Sequence, residues 1–433
     1  MTTIGIDLTP IQGPHRMRGV GATVINVLRS IPDEFKQKHH YVFYCHEDSH
    51  AEALELIHAS TFPNTTVRSV EPRDLNRYHS IKTPRGLLQL PARILERVQD
   101  RIEGDHRIKD IVDLDIFLQF EQDIVPPRGV KTVMIGYDLI PYVLESDYLW
   151  SYKTARQNHR YSILASVKAY IKRRFYRNNL RACVKRARKV IAISHQTKSD
   201  FVRYLKVSDS KITVSYLGIN KSSLKSLPKP DSVIRYIHSS WGDIPVETSL
   251  PAKPFLLFVG GADPRRKLTD LVAVYNLLKA QGRDIALVLA GDTMLGFSSV
   301  PNMPLQQALL NSSYPEDIYM LGFVDEDTRE WLYKNAIAFV YPSRYEGFGL
   351  PILEAMQYGT PVITYKNSSI QEIAKDSALY AHDDKTLFEQ VKSLSENIDL
   401  TKKYRTEGAK LAKDYAWEKT SSDIMNICEE VTK

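Results

Sequence analysis

Between Tyr341 and Ile363 the chain reads YPSRYEGFGLPILEAMQYGTPVI, with two acids, Glu346 and Glu354, on either side of a GFGLP core. An apolar run, Ala336 to Val340, leads in and reads as a buried strand. A turn with Gly347 and Gly349 follows. Pro351 suits the first turn of a helix beginning near Leu350, because its missing N–H is not needed there. Pro361 to Thr364 reads as the next strand. A helix start offers unpaired N–H groups and the positive end of a dipole, which suits an anion. Glycines let a phosphate come close to the backbone. Two carboxylates repel a bare phosphate but suit hydroxyl groups on either side of one: Glu346 a sugar, Glu354 a ribose. The plainer alternative is a strand-turn-helix connection with two solvated acids, and the GFGLP core weighs against it.

A second group of residues has matching chemistry. Pro254 to Val259 is apolar, and the next residues, Gly260 to Leu268, read GGADPRRKL. Arg265, Arg266 and Lys267 stand where a helix starts, against its dipole, an arrangement that an anion makes tolerable. Where such an anion is a leaving group, it gains charge as its bond breaks, and fixed cations stabilise that charge selectively in the transition state. Whether Arg266 or Lys267 clamps the phosphate stays open, and a solvated basic turn is the alternative. Gly19 and Gly21 lie in a loop between the first strand, Thr3 to Leu8, and a helix, Ala22 to Ser30. Alone they read as a tight turn.

EGFGLPILEAMQYGTPVI closely resembles the Glu-x7-Glu signature of the retaining glycosyltransferases of family 4, which have the GT-B architecture. The resemblance implies an α/β chain with two Rossmann-like doubly wound parallel-sheet domains facing a cleft. A nucleotide-sugar binds there, mostly on the C-terminal domain. It implies further that the Gly19 and Gly21 loop and the N–H groups of Phe348, Gly349 and Leu350, next to Gly347, touch the diphosphate. Arg265 takes the arginine's place in the basic loop. Tyr137 and Asp138, in GYDLIP, replace the His-Asp-Leu-Ile-Pro segment of many members, so a tyrosine stands where a histidine lines the sugar site; Asp138 reads as holding its loop. Ser194 caps the helix after the strand Lys189 to Ile193 and its side chain or backbone faces the cleft. Val324, in LGFV, lies in a loop whose backbone meets the base. The implied chemistry is retention, with the acceptor attacking on the face the leaving group departs from, assisted by a phosphate oxygen. Glu346 with Arg266 and Lys267 form the catalytic set. No metal or other cofactor is expected, since cations and backbone dipoles neutralise the diphosphate.

The length of 433 residues suits two domains. The expected bounds are 1–220 and 221–410, with 411–433 as a last helix, starting near Trp417, that packs back on the first domain. Further strands are expected at 41–45, 67–70, 116–120, 131–135, 285–290, 318–321 and 336–341. Residues 73–111 read as a polar insertion. The stretch from Lys221 to Pro254 is rich in Ser, Pro and Lys; the linker and domain boundary are expected near its start, with the second sheet beginning at Pro254. Hydrophobic residues at 43% and charged residues at 25% describe a soluble globular protein. Cys45, Cys183 and Cys428 are widely spaced and indicate a reducing compartment. No signal peptide or membrane span is read, so the expected location is the cytoplasm, at the inner face of the cell membrane if the protein is peripheral.

Net charge is +7, and residues 151–190 carry thirteen Lys or Arg and no Asp or Glu, interleaved with tyrosines. This stretch suits a solvated helix packing an apolar stripe on the first sheet, or an anionic membrane surface or lipid-linked acceptor. Nucleic acid ranks last and is not an expected partner. The expected partners are a nucleotide-sugar, with GDP-mannose ahead of a UDP-sugar, and a glycan or lipid-linked acceptor. A non-catalytic nucleotide-sugar or carbohydrate binder of the same fold is the competing reading. A dinucleotide-binding oxidoreductase or epimerase needs a third glycine that Arg18 to Ala22 lacks.

Overall fold

The computed structural model describes residues 1–13, 16, 19–70, 105, 107–148, 163–220, 228–239, 242–291 and 303–433. Most of the expected insertion at 73–111, and residues 151–162 of the basic stretch, lie outside the described residues. The chain forms two compact units, Met1–Gly218 with Trp417–Lys433, and Ile219–Ala416.

The first unit is built on a parallel sheet of β1 (Thr3–Asp7), β2 (His40–Cys45), β3 (Thr65–Ser69), β4 (Ile116–Gln119), β5 (Lys131–Gly136), β6 (Lys189–Ala192) and β7 (Ile212–Val214), in the order β3-β2-β1-β4-β5-β6-β7. Its central strands are short continuous apolar runs, buried throughout in β2 from Tyr41 onward and in β4. That is what a parallel sheet covered on both faces requires. The strand order reverses between β1 and β4, which pair in parallel. The last helix, Trp417–Thr432, packs on β4, β5 and the helix Gly19–Arg29. Ser421 Oγ donates to the Val27 carbonyl at 2.8 Å. Residues 411–416 stay with the second unit.

The second unit contains β8 (Val233–Ser239), β9 (Gly242–Thr248), β10 (Phe255–Val259), β11 (Ala286–Ala290), β12 (Ile318–Leu321), β13 (Ala338–Tyr341), β14 (Val362–Tyr365) and β15 (Leu379–Ala381). Their order is β15-β14-β13-β10-β11-β12-β8-β9. Strands β10 to β15 run parallel, and the order reverses between β10 and β13. In open α/β sheets a ligand binds outside the carboxyl ends of the strands at such a reversal. In this unit the loops beginning at Gly260 and Pro342 lie there.

Two expectations are corrected. The second half of the stretch from Lys221 to Pro254 holds a hairpin: β8 pairs antiparallel with β12 and with β9, so the second sheet begins at Val233 rather than Pro254. Pro245 stands in β9, at the sheet's edge, where a missing N–H costs no ladder bond. Gly19 and Gly21 do not form a loop; they occupy the first turn of the helix Gly19–Arg29, three residues earlier than expected. Gly21 is needed for packing, since a Cβ there would lie 2.4 Å from the Arg16 carbonyl oxygen.

Candidate active site

The loop after β10 begins at Gly260, whose φ of +146° favours glycine. A Cβ at this position would stand 2.7 Å from Arg266 Nη1. Asp263 shapes the next turn: its Oδ1 accepts from the Arg265 N–H at 3.0 Å and its Oδ2 pairs with Arg265 Nη1 at 2.6 Å. Lys267 sits at φ +47°, a left-handed conformation uncommon outside glycine, at the start of the helix Leu268–Ala280. Such backbone strain gathers at functional sites.

The loop after β13 supplies the acid. Glu346 is 7% exposed. Its Oε1 accepts from the Tyr341 hydroxyl at 2.8 Å, the Ser343 hydroxyl at 2.9 Å and Arg266 Nε at 3.2 Å. Its Oε2 accepts from Arg265 Nη2 at 3.3 Å. A carboxylate offers about four acceptor sites, so Oε1 is filled and Oε2 retains capacity for one more donor. Burial opposes the charge on Glu346, but the two guanidiniums outweigh it and hold its pKa down to about 2. Arg266 is correspondingly raised, against its own burial, by Tyr341 and Glu346. Tyr341 is fully buried, stacked between Phe258 and Phe339 with centroids 5.5 and 5.6 Å away. Arg266 lies 5.5 Å over its ring.

The rest of the loop is braced from the helix Ser368–Ala374. Asn367 Nδ2 donates to the Ser343 carbonyl at 2.7 Å, and Ser369 Oγ to the Glu346 and Phe348 carbonyls at 2.8 and 3.0 Å. Phe348 is buried against Tyr415, and Gly347 is buried beside it. Gly349, at φ +111°, turns the chain into the helix Leu350–Gln357, which has proline in its first turn. Glu354 lies one turn in and accepts from the Tyr333 hydroxyl at 3.1 Å. Arg329 is raised by Glu354 and Tyr333 against burial. Val324 is half-buried in the loop after β12, next to Asp325, which caps the following helix through the Thr328 N–H at 2.7 Å.

The structure therefore joins Arg265 and Arg266 to Glu346 across about 80 positions, with Lys267 beside them. Lys267 makes no ion pair among the described residues. Glu354 joins a different pair, Tyr333 and Arg329. In the first unit, Ser194 caps the helix His195–Asp200 through the Thr197 N–H at 3.0 Å. Thr197 Oγ1 donates to the Tyr137 carbonyl at 3.0 Å, tying the Tyr137 loop to Ser194 at the carboxyl ends of β5 and β6. The Tyr137 hydroxyl is enclosed beside Thr23, and Thr23 bonds back to the Gly19 carbonyl at 2.7 Å. Asp138 accepts from the Ile140 N–H at 3.0 Å and so holds its own loop. Sequence reasoning missed Tyr341, Ser343, Asp263, Tyr333 and Arg329. Tyr341 and Ser343 stand inside the quoted motif, and a polar pair closing a buried strand five and three residues before an acid was the available signal.

Residues 243–411 match the family model described as Glycosyl transferases group 1. The chain is 27% identical over 266 residues to the O-antigen chain mannosyltransferase B of Escherichia coli, a match covering 58% of this chain and 63% of that one. It is 27% identical over 239 residues to the O-antigen chain mannosyltransferase RfbU of Salmonella typhimurium, covering 54% and 59%. The chain thus spans about three fifths of the length of these relatives. Among solved structures it resembles Anabaena Alr3699/HepE in complex with UDP and glucose, with a TM-score of 0.61 at 14% identity over 99% of this chain and 100% of that one. It also resembles WaaG, a glycosyltransferase involved in lipopolysaccharide biosynthesis, with a TM-score of 0.58 at 13% identity over 98% and 99%. Two doubly wound units in this arrangement of strands are the GT-B fold, and on it the chain carries a glycosyltransferase group 1 domain.

Proposed function

We propose that the protein is a retaining glycosyltransferase that moves a hexose from a nucleotide diphosphate sugar to a hydroxyl of a growing, lipid-linked glycan. Mannose from GDP-mannose is the first expectation and a UDP-sugar the second. One observation carries the reading: two guanidiniums fixed on a buried carboxylate at the strand-order reversal of the second sheet. Fixed charges facing the departing diphosphate stabilise the transition state without reorganisation. In this reading Arg265, Arg266 and Lys267, with the N–H groups of Phe348, Gly349 and Leu350, take the diphosphate, and no metal is required. Glu346 Oε2 receives a donor-sugar hydroxyl, and Glu354 the ribose. The first unit handles the acceptor.

The helix Ile163–Arg186 supports a peripheral place for the enzyme. Its second half is core: Leu180, Cys183 and Val184 are buried. Its first half exposes Ile163, Val167, Tyr170 and Ile171, spaced to share one face. Arg173 and Arg177 pair with Glu145, whereas Arg174 is exposed. An apolar stripe beside cations suits an anionic lipid surface. No described helix is long and apolar enough to cross a membrane.

The test is a melting-temperature screen with GDP, UDP and their sugars, followed by transfer to a lipid-linked oligosaccharide and assignment of product anomeric configuration by NMR. Retention with GDP-mannose is expected. Stabilisation without transfer or donor hydrolysis would leave a binder instead, and no stabilisation by any nucleotide would end the reading.

A further inference from the structure

At the opposite end of the same two strands lies a cavity of about 480 Å³. Pro254 and Ile337 mark the feet of β10 and β13, and both line it. The donor loops leave from the heads of these strands, roughly 13–17 Å away at about 3.3 Å per residue. The cavity's walls are mostly apolar, with Leu278, Ile285, Val391 and Leu394 buried around it. Ile398, at its mouth, is 72% exposed, an unusual position for a large aliphatic side chain placed beside an apolar hollow.

The charges at the mouth do not balance. Arg283, Lys402 and Arg405 line the cavity against one acid, Asp284, for a net charge of +2. Arg283 pairs with Glu396, and Asp284 with Lys253 at 2.7 Å. Arg405 donates to a neutral acceptor, the Gly359 carbonyl, at 3.1 Å, and Lys402 is exposed. Among the described residues, Lys402 and Arg405 therefore remain as cations with no acidic partner over an apolar hollow. Small-molecule sites have this composition, with a volume of about 300–1,000 Å³, apolar walls and a few polar groups that fix orientation.

We propose that this cavity is a binding site for an amphipathic anion, a short aliphatic body carrying a carboxylate or phosphate head. The body lies between Leu278, Ile285 and Leu394, under Ile398. The head meets Lys402 and Arg405. The site is separate from the donor site and does not depend on the reading of that site.

The experiment is calorimetric titration of the full chain with octanoate, octyl phosphate and uncharged octanol. Each is repeated on Ser395→Trp, which fills the mouth from an exposed position, and on Lys402→Glu. Melting temperatures of both variants confirm that they fold. Saturable binding of an octyl anion at one per chain is expected, with the tighter of the two identifying the head group. Ser395→Trp should weaken all binding at least tenfold. Lys402→Glu should weaken the anions about tenfold and leave octanol unchanged. The proposal is overturned if neither anion saturates, if octanol binds as tightly as both anions, or if both folded variants bind like the wild type.

Discussion

Replacing Glu346 with glutamine tests the electrostatics of the candidate site through stability, independently of any substrate. The side chain keeps its shape and loses its charge, leaving Arg265 and Arg266 facing a neutral amide. The ordinary glutamate value of 4.5 falls to about 2 in the folded chain. A difference of that size corresponds to about 3 kcal/mol of stability at neutral pH. Because the folded value is the depressed one, this stability is fully present above the unfolded value and lost as pH falls from about 4.5 towards 2. At pH 3 the linkage relation leaves roughly 1.4 kcal/mol. Urea unfolding of wild type and Glu346→Gln followed by circular dichroism, at pH 7, 5.5, 4 and 3, measures the gap between them. All other titrating groups are common to both proteins and cancel to first order. A gap of about 3 kcal/mol at pH 7 and 5.5, less than half as large at pH 3, is expected. A gap that stays constant across this range, or one below about 0.5 kcal/mol at pH 7, would refute the ion-paired assignment.

Other changes separate the site's parts. Glu354→Gln should raise the donor KM about tenfold with kcat nearly unchanged; an unchanged KM removes the ribose assignment. Lys267→Met should lower affinity for the nucleoside diphosphate at least tenfold while leaving urea stability near wild type, because Lys267 is in no ion pair among the described residues; a stability loss with intact affinity reverses its role. Ile171→Asp with Arg174→Glu should abolish sedimentation with phosphatidylglycerol vesicles at low salt and leave transfer to a soluble acceptor intact; undiminished sedimentation excludes that helix face.

The sheets were readable in outline because buried parallel strands are written as short apolar runs. The expected strands at 116–120, 189–193 and 254–259 differ from the observed ones by no more than a residue. The hairpin β8–β9 was not readable, because its exposed Ile234, Ile237 and Ile244 sit among Ser, Pro and Lys in a composition that reads as a loop. The start of the Gly19–Arg29 helix was hidden for a different reason. Glycine lowers helix propensity, and the requirement that fixes Gly21 there is contact with the Arg16 carbonyl, a tertiary constraint. In the site, the local motif marked the acid and the cations but not their partnership. Arg265 and Glu346 meet only because the chain, after β12, crosses back to place β13 beside β10. Sequence spacing carries no signal for that crossing.

The partnership changes what each residue contributes. The basic loop and its acid hold three cations, Arg265, Arg266 and Lys267, against Asp263 and Glu346, a net charge of only +1 by formal count. Arg265 commits Nη1 to Asp263, Nη2 to Glu346 and Nε to the Tyr345 carbonyl. Arg266 commits Nε to Glu346 and Nη1 to the Gly261 carbonyl. Both guanidiniums are thereby held rigid, which is what electrostatic preorganisation requires, but their charge is largely offset. Arg266 retains Nη2 as a donor in a fixed direction. Lys267, held in its left-handed turn, keeps a whole charge with no ion partner among the described residues. Under the proposed function, a diphosphate arriving here meets a directional donor from Arg266 and a net cation from Lys267. In that same proposed function the two residues divide the clamp between them: Arg266 directs where the phosphate sits, and Lys267 sets how strongly it is held.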